Sequence, residues 1–219
     1  MSVWLAALYT YGCPELSKKE EKKIFKFVKN PKRGKEAVKI LAKLEPWIWY
    51  QVIGKKNKSF FLSHKVIEAY WLGSEDLDLE FRGEDLEFLL AARGQEPARL
   101  ACAFKGQMME KKGSFLLHHN LTETILLTKT SLFEREEFVN SCLIRSGEII
   151  SLKKDYFLVE TFWLSEKVKK REEEIKNLFG VEAREGEFVT FHFGIARQRV
   201  HFRVHQRILK ITEQILKGE

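Results

Sequence analysis

The sequence predicts an α+β protein in which a helical N-terminal domain, residues 1–112, precedes a strand-rich domain, residues 113–219, that ends in a helix. Two observations predict this division. In the first half, apolar residues recur at the three- and four-residue spacing of amphipathic helices. After Gly94, glycines punctuate the chain, and β-branched and aromatic residues occur in short runs of strand length.

Four segments of the first half carry the start and stop signals of helices. Helices are predicted over residues 18–29, 34–44, 63–72 and 84–92. Ser17 is an N-cap for the first of them, and Pro31 ends it. Pro46 is predicted to stop the second helix. The aromatic block 47–50 that follows it must be buried or covered.

The second half is predicted from alternating and aromatic runs. Strands are predicted over residues 115–118, 125–128, 143–152, 156–162 and 187–195. Residues 153–155 join two of these strands as a tight hairpin. The segment 166–179 spaces its apolar residues as a helix does, and we predict a helix there. The last segment, 197–217, has five aliphatic residues on one face and is predicted to be an amphipathic helix.

Composition limits the class of protein without choosing a function. A chain of 219 residues with 44% apolar residues can bury a real core. The net charge of +7 permits nucleic acid, a membrane surface or an acidic protein as partner. Much of it lies in residues 17–43, which have 11 basic and 3 acidic residues. These are either solvated helix faces or a docking surface for an acidic protein or nucleic acid.

The cysteines and the N-terminus predict a cytoplasmic protein without a membrane span. Cys13, Cys102 and Cys142 are scattered and form no C-x-x-C pair, which favours a reducing compartment. The apolar N-terminus has no basic region ahead of it, so no export signal is predicted. No uncharged apolar run approaches about 18 residues, the length that predicts a transmembrane helix.

Two segments 50 residues apart carry the candidate chemistry. Residues 142–149 read Cys-Leu-Ile-Arg-Ser-Gly-Glu-Ile, and residues 186–196 read Gly-Glu-Phe-Val-Thr-Phe-His-Phe-Gly-Ile-Ala. They place one thiol, Cys142, and one imidazole, His192, in the strand-rich domain. Soft sulfur and borderline nitrogen suit iron, whereas carboxylates favour calcium or magnesium. Both residues are therefore candidate iron ligands.

Each candidate has a structural alternative. Cys142, taken alone, could be an inert buried cysteine, which is how most single cysteines behave. His192 lies on the strand face opposite Val189 and Phe191, so its side chain is predicted to point away from the most apolar side. A histidine that simply faces solvent is the alternative there.

The order of these two segments, ahead of a final helix, resembles the HypC/HupF hydrogenase-assembly chaperones over about residues 141–217. The resemblance implies a small OB-like β-barrel closed by the C-terminal helix. It implies a non-enzymatic accessory protein of nickel-iron hydrogenase maturation, in which Cys142 and His192 carry an iron-cyanide-carbonyl fragment. The implied partners are the hydrogenase large subunit and an iron–sulfur maturation scaffold protein.

This chain departs from the family in two respects. In the family the cysteine directly follows the initiator methionine, whereas 141 residues precede Cys142 here. Ser146 stands where the family has proline before the glycine.

The whole chain also resembles a bacterial hydrogenase-associated family that has an extra helical N-terminal domain. The residues that carry this likeness are 11–14 and 66–73. That family has a histidine-rich strand before the barrel, and residues 118–120, His-His-Asn, take that place here. His119 is thus a candidate third iron ligand, although a structural histidine pair is the favoured interpretation.

Other functions were weighed against the iron carrier. An OB-type barrel could bind nucleic acid, with an affinity that falls steeply with salt and does not depend on Cys142. A Cys-His thiol enzyme is disfavoured because neither residue has an orienting acid or an oxyanion signature near it in sequence. His201 and His205 lie one helical turn apart, a spacing that can chelate a metal. Their arginine neighbours favour a solvated basic face instead.

Overall fold

The computed structural model describes residues 2–92, 100, 114–122, 136–165 and 167–217. The chain divides into two compact units, Met1–Ile125 and Leu126–Glu219. Residues 114–122 thus belong to the first unit, although the sequence analysis assigned them to the second domain. The α+β class is confirmed, because helices precede a closed five-stranded barrel that is followed by a C-terminal helix. None of the described helices combines the length and apolar character that a bilayer span requires.

The first unit is built from helices and one small sheet. Its helices are α1 Ser2–Thr10, α2 Lys18–Lys29, α3 Gly34–Leu41, α4 Glu45–Lys56, α5 His64–Leu72 and α6 Leu86–Leu90. Short 3₁₀ turns, Pro31–Arg33 and Gly83–Asp85, precede α3 and α6. Strands β1 Glu80–Arg82 and β2 Ser114–Leu116 pair antiparallel. The predicted strand at 125–128 lies outside the described residues.

The capped helices follow the sequence signals closely. Ser17 accepts a hydrogen bond from the Glu20 backbone N–H, and the Glu20 carboxylate accepts one from the Ser17 N–H, so α2 begins with a capping box. Ser63 caps α5 in the same position, and Gly73 follows its last residue. Helix α6 is shorter than predicted because the 3₁₀ turn takes the place of its first residues.

Helix α4 was not predicted, and its proline acts in the opposite sense to the prediction. Pro46 lies in the first turn of α4, where its missing N–H costs no hydrogen bond. The aromatic block 47–50 is buried, as predicted, but it forms the body of this helix. Because α4 is buried on almost every side, its sequence has no polar stripe by which an amphipathic helix is recognised.

The second unit is a closed barrel with a helix before it and a helix after it. Its elements are α7 Glu136–Cys142, β3 Arg145–Lys153, β4 Tyr156–Leu164, β5 Val168–Lys176, β6 Phe188–His192, β7 Ile195–Val200 and α8 Phe202–Lys217. The strands run β3-β4-β5-β7-β6, and β6 pairs back to β3. Only the β5–β7 pairing is parallel, through Lys176 and Ile195. Helix α8 packs against β3 and β6.

Two helix predictions in this half are wrong, and the strand predicted over 187–195 ends at His192. The segment 166–179 was predicted to be a helix, but it contains β5, which pairs with β4 over its full length. Seven of the nine residues of β5 are charged, and only Ile175 is buried, so cross-strand pairing rather than an apolar stripe decides its structure. The final helix was predicted from residue 197. It begins at Phe202, because residues 195–200 pair with β6 as β7.

Close strand packing explains the glycine of the first motif. Seven buried residues fill the barrel: Ile149, Phe157, Val159, Ile175, Val189, Phe191 and Ala196. Gly147 lies at the β3–β4 pairing. A Cβ atom there would lie 2.7 Å from the Glu160 carbonyl oxygen and 3.1 Å from the Cβ of Thr161. The carbonyl belongs to the backbone and cannot rotate away, so only glycine fits this position without a strand shift.

We expect Gly147→Ala to destabilise the barrel by about 1–3 kcal/mol, the usual cost of overpacking. Hydrogen exchange of the β3 and β4 amides measures the lower stability, because a smaller free energy of opening makes these amides exchange faster. Gly83→Ala is the control, because no heavy atom lies within 4 Å of the added Cβ. An unchanged exchange rate in Gly147→Ala would mean that the two strands lie further apart than described.

Candidate functional site

Cys142 and His192, the two candidate ligands, are in direct contact. Helix α7 ends at Cys142 and strand β6 ends at His192, and the His192 Nε2 atom lies 2.9 Å from the Cys142 carbonyl oxygen. A carbonyl only accepts hydrogen bonds, so Nε2 carries the proton and donates it. This bond fixes the tautomer and the orientation of the imidazole.

Both residues are buried. Cys142 is 5% exposed and His192 is 2% exposed, so the solvent-facing interpretation of His192 is wrong. Thr190, on the same strand face, is also fully buried, because the second face of β6 is covered as well as the first. Cys142 belongs to a small apolar cluster with Val139, Leu143 and Leu164. The thiol therefore lies under the surface, in the type of environment that the inert-cysteine alternative also predicts.

A strained turn adjoins the imidazole. Strands β6 and β7 are joined by two residues, Phe193 and Gly194, whose φ angles are 50° and 66°. Positive φ at both central positions is typical of a type I′ hairpin, and it is strained for phenylalanine. The Phe193 backbone N–H donates to the Ser141 carbonyl at 3.0 Å, and its ring centroid lies 4.5 Å from that of His192. Contact with α7 thus helps to hold the strained turn.

Polar side chains of helix α7 form hydrogen bonds to the barrel. The Asn140 side chain donates to the Leu164 carbonyl at 2.7 Å and accepts from the Leu164 N–H at 2.8 Å. Near the other end of the helix, the Trp163 indole N–H donates to the Glu136 carboxylate. The helix that positions Cys142 is therefore bound to the end of β4 as well as to the β6–β7 turn.

Arg145 is a buried cation below the helix end. It is 1% exposed and forms a bidentate ion pair with Glu173, with N···O distances of 2.7 and 3.0 Å. Its Nε donates to the Asn140 carbonyl at 3.0 Å, and its guanidinium lies 4.8 Å from the Phe191 ring centroid. Burial lowers the pKa of Arg145, and the hydrogen bonds and charge of Glu173 oppose this shift. Arginine remains charged under these conditions.

A second arginine, Arg197, holds the other side of His192. It is 2% exposed, its Nη2 donates to the His192 carbonyl at 3.0 Å, and its guanidinium lies over the Phe179 ring. Sequence reasoning missed both Arg145 and Arg197. Neither strand is apolar apart from its arginine, so no local signal in the sequence indicated that either guanidinium would be buried.

The other predicted ligand, His119, belongs to the first unit. It is 3% exposed, and its ring centroid lies 4.3 Å from that of Trp71 and 5.8 Å from that of Tyr70. This packing is what the favoured interpretation, a structural histidine pair, describes. Across the described ranges, no three His, Cys, Asp or Glu side chains are grouped so that they could hold a metal ion.

The two histidines at the start of α8, His201 just before it and His205 in its first turn, have different environments. His201 is exposed, and its Nδ1 accepts the Arg203 N–H. His205 instead packs on the barrel, with Nδ1 2.9 Å from the Ser146 hydroxyl and its ring centroid 4.7 Å from that of Phe188. The solvated basic face predicted for this pair is therefore wrong for His205.

The stability of the protein is expected to depend on the protonation of His205. Burial, and secondly the charge of Lys170, lower the pKa of His205 below its ordinary value of 6.5. The folded protein then binds fewer protons than the unfolded chain, so stability falls as the pH drops from about 6.5 towards the lowered pKa. We expect His205→Asn to remove this part of the change of the free energy of unfolding with pH, and His201→Asn to leave it. Urea unfolding at several pH values measures this free energy. An equal pH dependence of the free energy of unfolding in wild type and His205→Asn would show that His205 is not its source.

The site combines a thiol, an oriented imidazole and two buried guanidinium groups at one end of a barrel. Such a set can offer sulfur and nitrogen to a soft metal. The His192 Nε2–H donates to the Cys142 backbone carbonyl, so this nitrogen does not act as a base on the thiol. Comparison with protein-family models, curated proteins and solved structures gave no match.

Proposed function

We propose that the second unit is a HypC/HupF-like module that holds an iron-cyanide-carbonyl fragment during nickel-iron hydrogenase maturation. The protein is then an accessory protein and not an enzyme. The observation that carries this proposal is the hydrogen bond from His192 Nε2 to the Cys142 carbonyl. Two residues 50 positions apart, singled out by their motifs, meet at one end of the barrel.

The topology supports an OB-like barrel. Numbered within the unit, the strands run 1-2-3-5-4 and close on strand 1, with a parallel pairing between strands 3 and 5. This is the strand order of a five-stranded Greek-key barrel of the OB type. The closing helix, α8, packs on β3 and β6.

The hydrogen bond of His192 fits a metal ligand. Metal-binding histidines usually donate their second ring N–H to a carbonyl or carboxylate, which orients the ring. With Nε2–H on the Cys142 carbonyl, the ligating atom would be Nδ1, and the Cys142 thiolate would be the second ligand. The cargo brings its own cyanide and carbonyl ligands, so two protein ligands suffice. A third protein ligand is not needed. The described residues contain no group of three His, Cys, Asp or Glu side chains that could hold a metal ion.

Loading requires a local opening, because Cys142 and His192 are both almost fully buried. The strained Phe193–Gly194 turn is the part of the site whose movement would uncover both residues. Closure afterwards would keep water away from the iron fragment. We propose the iron–sulfur scaffold protein as donor and the hydrogenase large subunit as acceptor, in the reducing cytoplasm where a thiol persists.

The nucleic-acid alternative has less support from the barrel surface. Phe157 and Phe162, two of the three rings that could have formed a stacking ladder with the half-buried Trp163, are each 4% exposed. Bases stack on exposed aromatic faces, so the two phenylalanine rings cannot serve. Strand β5 mixes basic residues 169–171 with acidic residues 172–174, which weakens its attraction for phosphates.

The test is an anaerobic pull-down of the tagged protein from its native host. Wild type is expected to carry iron, to show infrared bands of bound cyanide and carbon monoxide, and to recover hydrogenase-maturation proteins. In Cys142→Ala we expect iron and bands to be lost. The matched control is Cys13→Ala, which changes a cysteine of the first unit and should retain both.

Wild type without iron or bands, or Cys142→Ala with unchanged bands, would refute the carrier function. Recovery of nucleic acid that depends on salt and not on Cys142 would favour the alternative.

A further inference from the structure

The first unit has a cleft of about 680 Å³ between α2 and α3, away from any residue used above. Four lysines line it: Lys23, Lys26, Lys29 and Lys32. Among the described residues of the lining, the acidic side chain is that of Glu36, whose carboxylate lies 2.6 Å from the Lys23 ammonium group. Two further lysines of the lining, Lys26 and Lys32, are exposed.

Part of the lining of the cleft is apolar. Phe25, Phe27 and Ala37 contribute to the lining, and Phe27 is 6% exposed. The Lys29 ammonium group lies 5.9 Å from the Phe25 ring centroid, so a cation and an aromatic ring share one wall. A ligand that fits must offer negative charge at the rim and an apolar group beneath it.

These features favour an acidic protein segment, and not nucleic acid or an anionic membrane, as the ligand of the cleft. Among the side chains that the structure describes, the cations of the lining are lysines, which act as point charges and not as the forked donors that grip phosphate in two places. Its buried Phe27 cannot stack on bases as the aromatic platforms of single-strand binders do. The site is concave, whereas a bilayer presents a broad and nearly flat surface. An acidic chain segment with apolar side chains can instead place carboxylates on the rim and a side chain inside.

We propose that this cleft docks an acidic segment of a partner protein, with its carboxylates on Lys26 and Lys32 and an apolar side chain against the Phe25 and Phe27 wall. The proposal does not rest on the iron-carrier function, because the cleft lies in the other unit and uses no metal ligand. Electrostatic steering towards such a cleft raises the association rate and weakens with salt.

The experiment uses the full chain and a fluorescent 14-residue peptide whose sequence repeats Glu-Glu-Leu. Fluorescence anisotropy measures the binding of this peptide at low and moderate salt. Wild type is expected to bind, and Lys26→Gln with Lys32→Gln is expected to weaken binding about tenfold. The matched control, Lys18→Gln with Lys19→Gln, removes two exposed lysines of the same helix that do not line the cleft, and it should stay within about twofold of wild type. A peptide with Ser in place of Leu should bind more weakly, because it lacks the apolar group.

Three outcomes would overturn the proposal. The first is that wild type does not bind the peptide. The second is that the cleft variant and the Lys18 and Lys19 control lose peptide affinity equally, which would indicate unspecific charge attraction. The third is tighter binding of a 14-nucleotide single-stranded DNA, or of phosphatidylserine vesicles, that is lost in the same Lys26 and Lys32 variant. That result would assign the cleft to nucleic acid or to an anionic membrane.

Discussion

Replacing Arg145 by alanine is expected to lower the free energy of unfolding of the barrel by about 3–5 kcal/mol, the usual cost of breaking a buried charge pair. The variant loses the bidentate pair with Glu173 and leaves the Asn140 carbonyl without this donor. It also removes the guanidinium from the rings of Trp163 and Phe191 and leaves a cavity there. Hydrogen exchange of the β3 and β4 amides measures the loss within the second unit.

The control for Arg145→Ala is Lys153→Ala, at the far end of the same strand. Lys153 pairs with Glu174, the residue after Glu173, but both side chains of this pair are more than half exposed. An exposed pair contributes at most about 1 kcal/mol, so Lys153→Ala should change the barrel little. If both variants had equally small effects, Arg145 would not be the structural cation described above.

Replacing His192 is expected to abolish iron binding, and the choice of substitute separates ligation from structure. In His192→Gln the side-chain amide can still donate to the Cys142 carbonyl, so it should keep about 1 kcal/mol more stability than His192→Ala. An amide is a poor ligand for a soft metal, so both variants should lose the iron and the infrared bands. Iron content and hydrogen exchange on the same samples provide the two measurements.

His201→Gln serves as the control, because His201 is exposed, lies just before α8 and should be replaceable without loss of iron. A His192→Gln protein that regained both stability and iron would show that His192 acts only as a donor that caps the end of α7. The iron-carrier proposal would then lose one of its two ligands.

Much of the fold could be predicted where local signals agree with tertiary packing. The capping residue Ser17 and the amphipathic pattern after it define α2 within one residue, and Ser63 with Gly73 does the same for α5. Helix α4 escaped prediction because burial on nearly all sides removes its polar stripe. Strand β5 escaped because its charged sequence forms a strand only through its pairing with β4.

The candidate site could be predicted as residues but not as geometry. The motifs singled out Cys142 and His192, yet strand alternation showed only that His192 faces away from Val189 and Phe191, because it cannot show that a second layer covers that face. The contact between the imidazole and the end of α7 arises from the positive-φ turn at Phe193, for which phenylalanine gives no local signal. Long-range packing also determines the positions of Arg145 and Arg197, whose partners lie far along the chain or across the β6–β7 turn.

X-ray absorption at the iron edge, on protein isolated anaerobically from its native host, tests the central claim most directly. Wild type is expected to show one sulfur scatterer, one imidazole nitrogen and the short carbon scatterers of cyanide and carbon monoxide. The sulfur scatterer should disappear in Cys142→Ser and the imidazole scattering in His192→Gln. Iron that shows no sulfur scatterer in wild type, or the same spectrum in all three proteins, would contradict a site formed by Cys142 and His192.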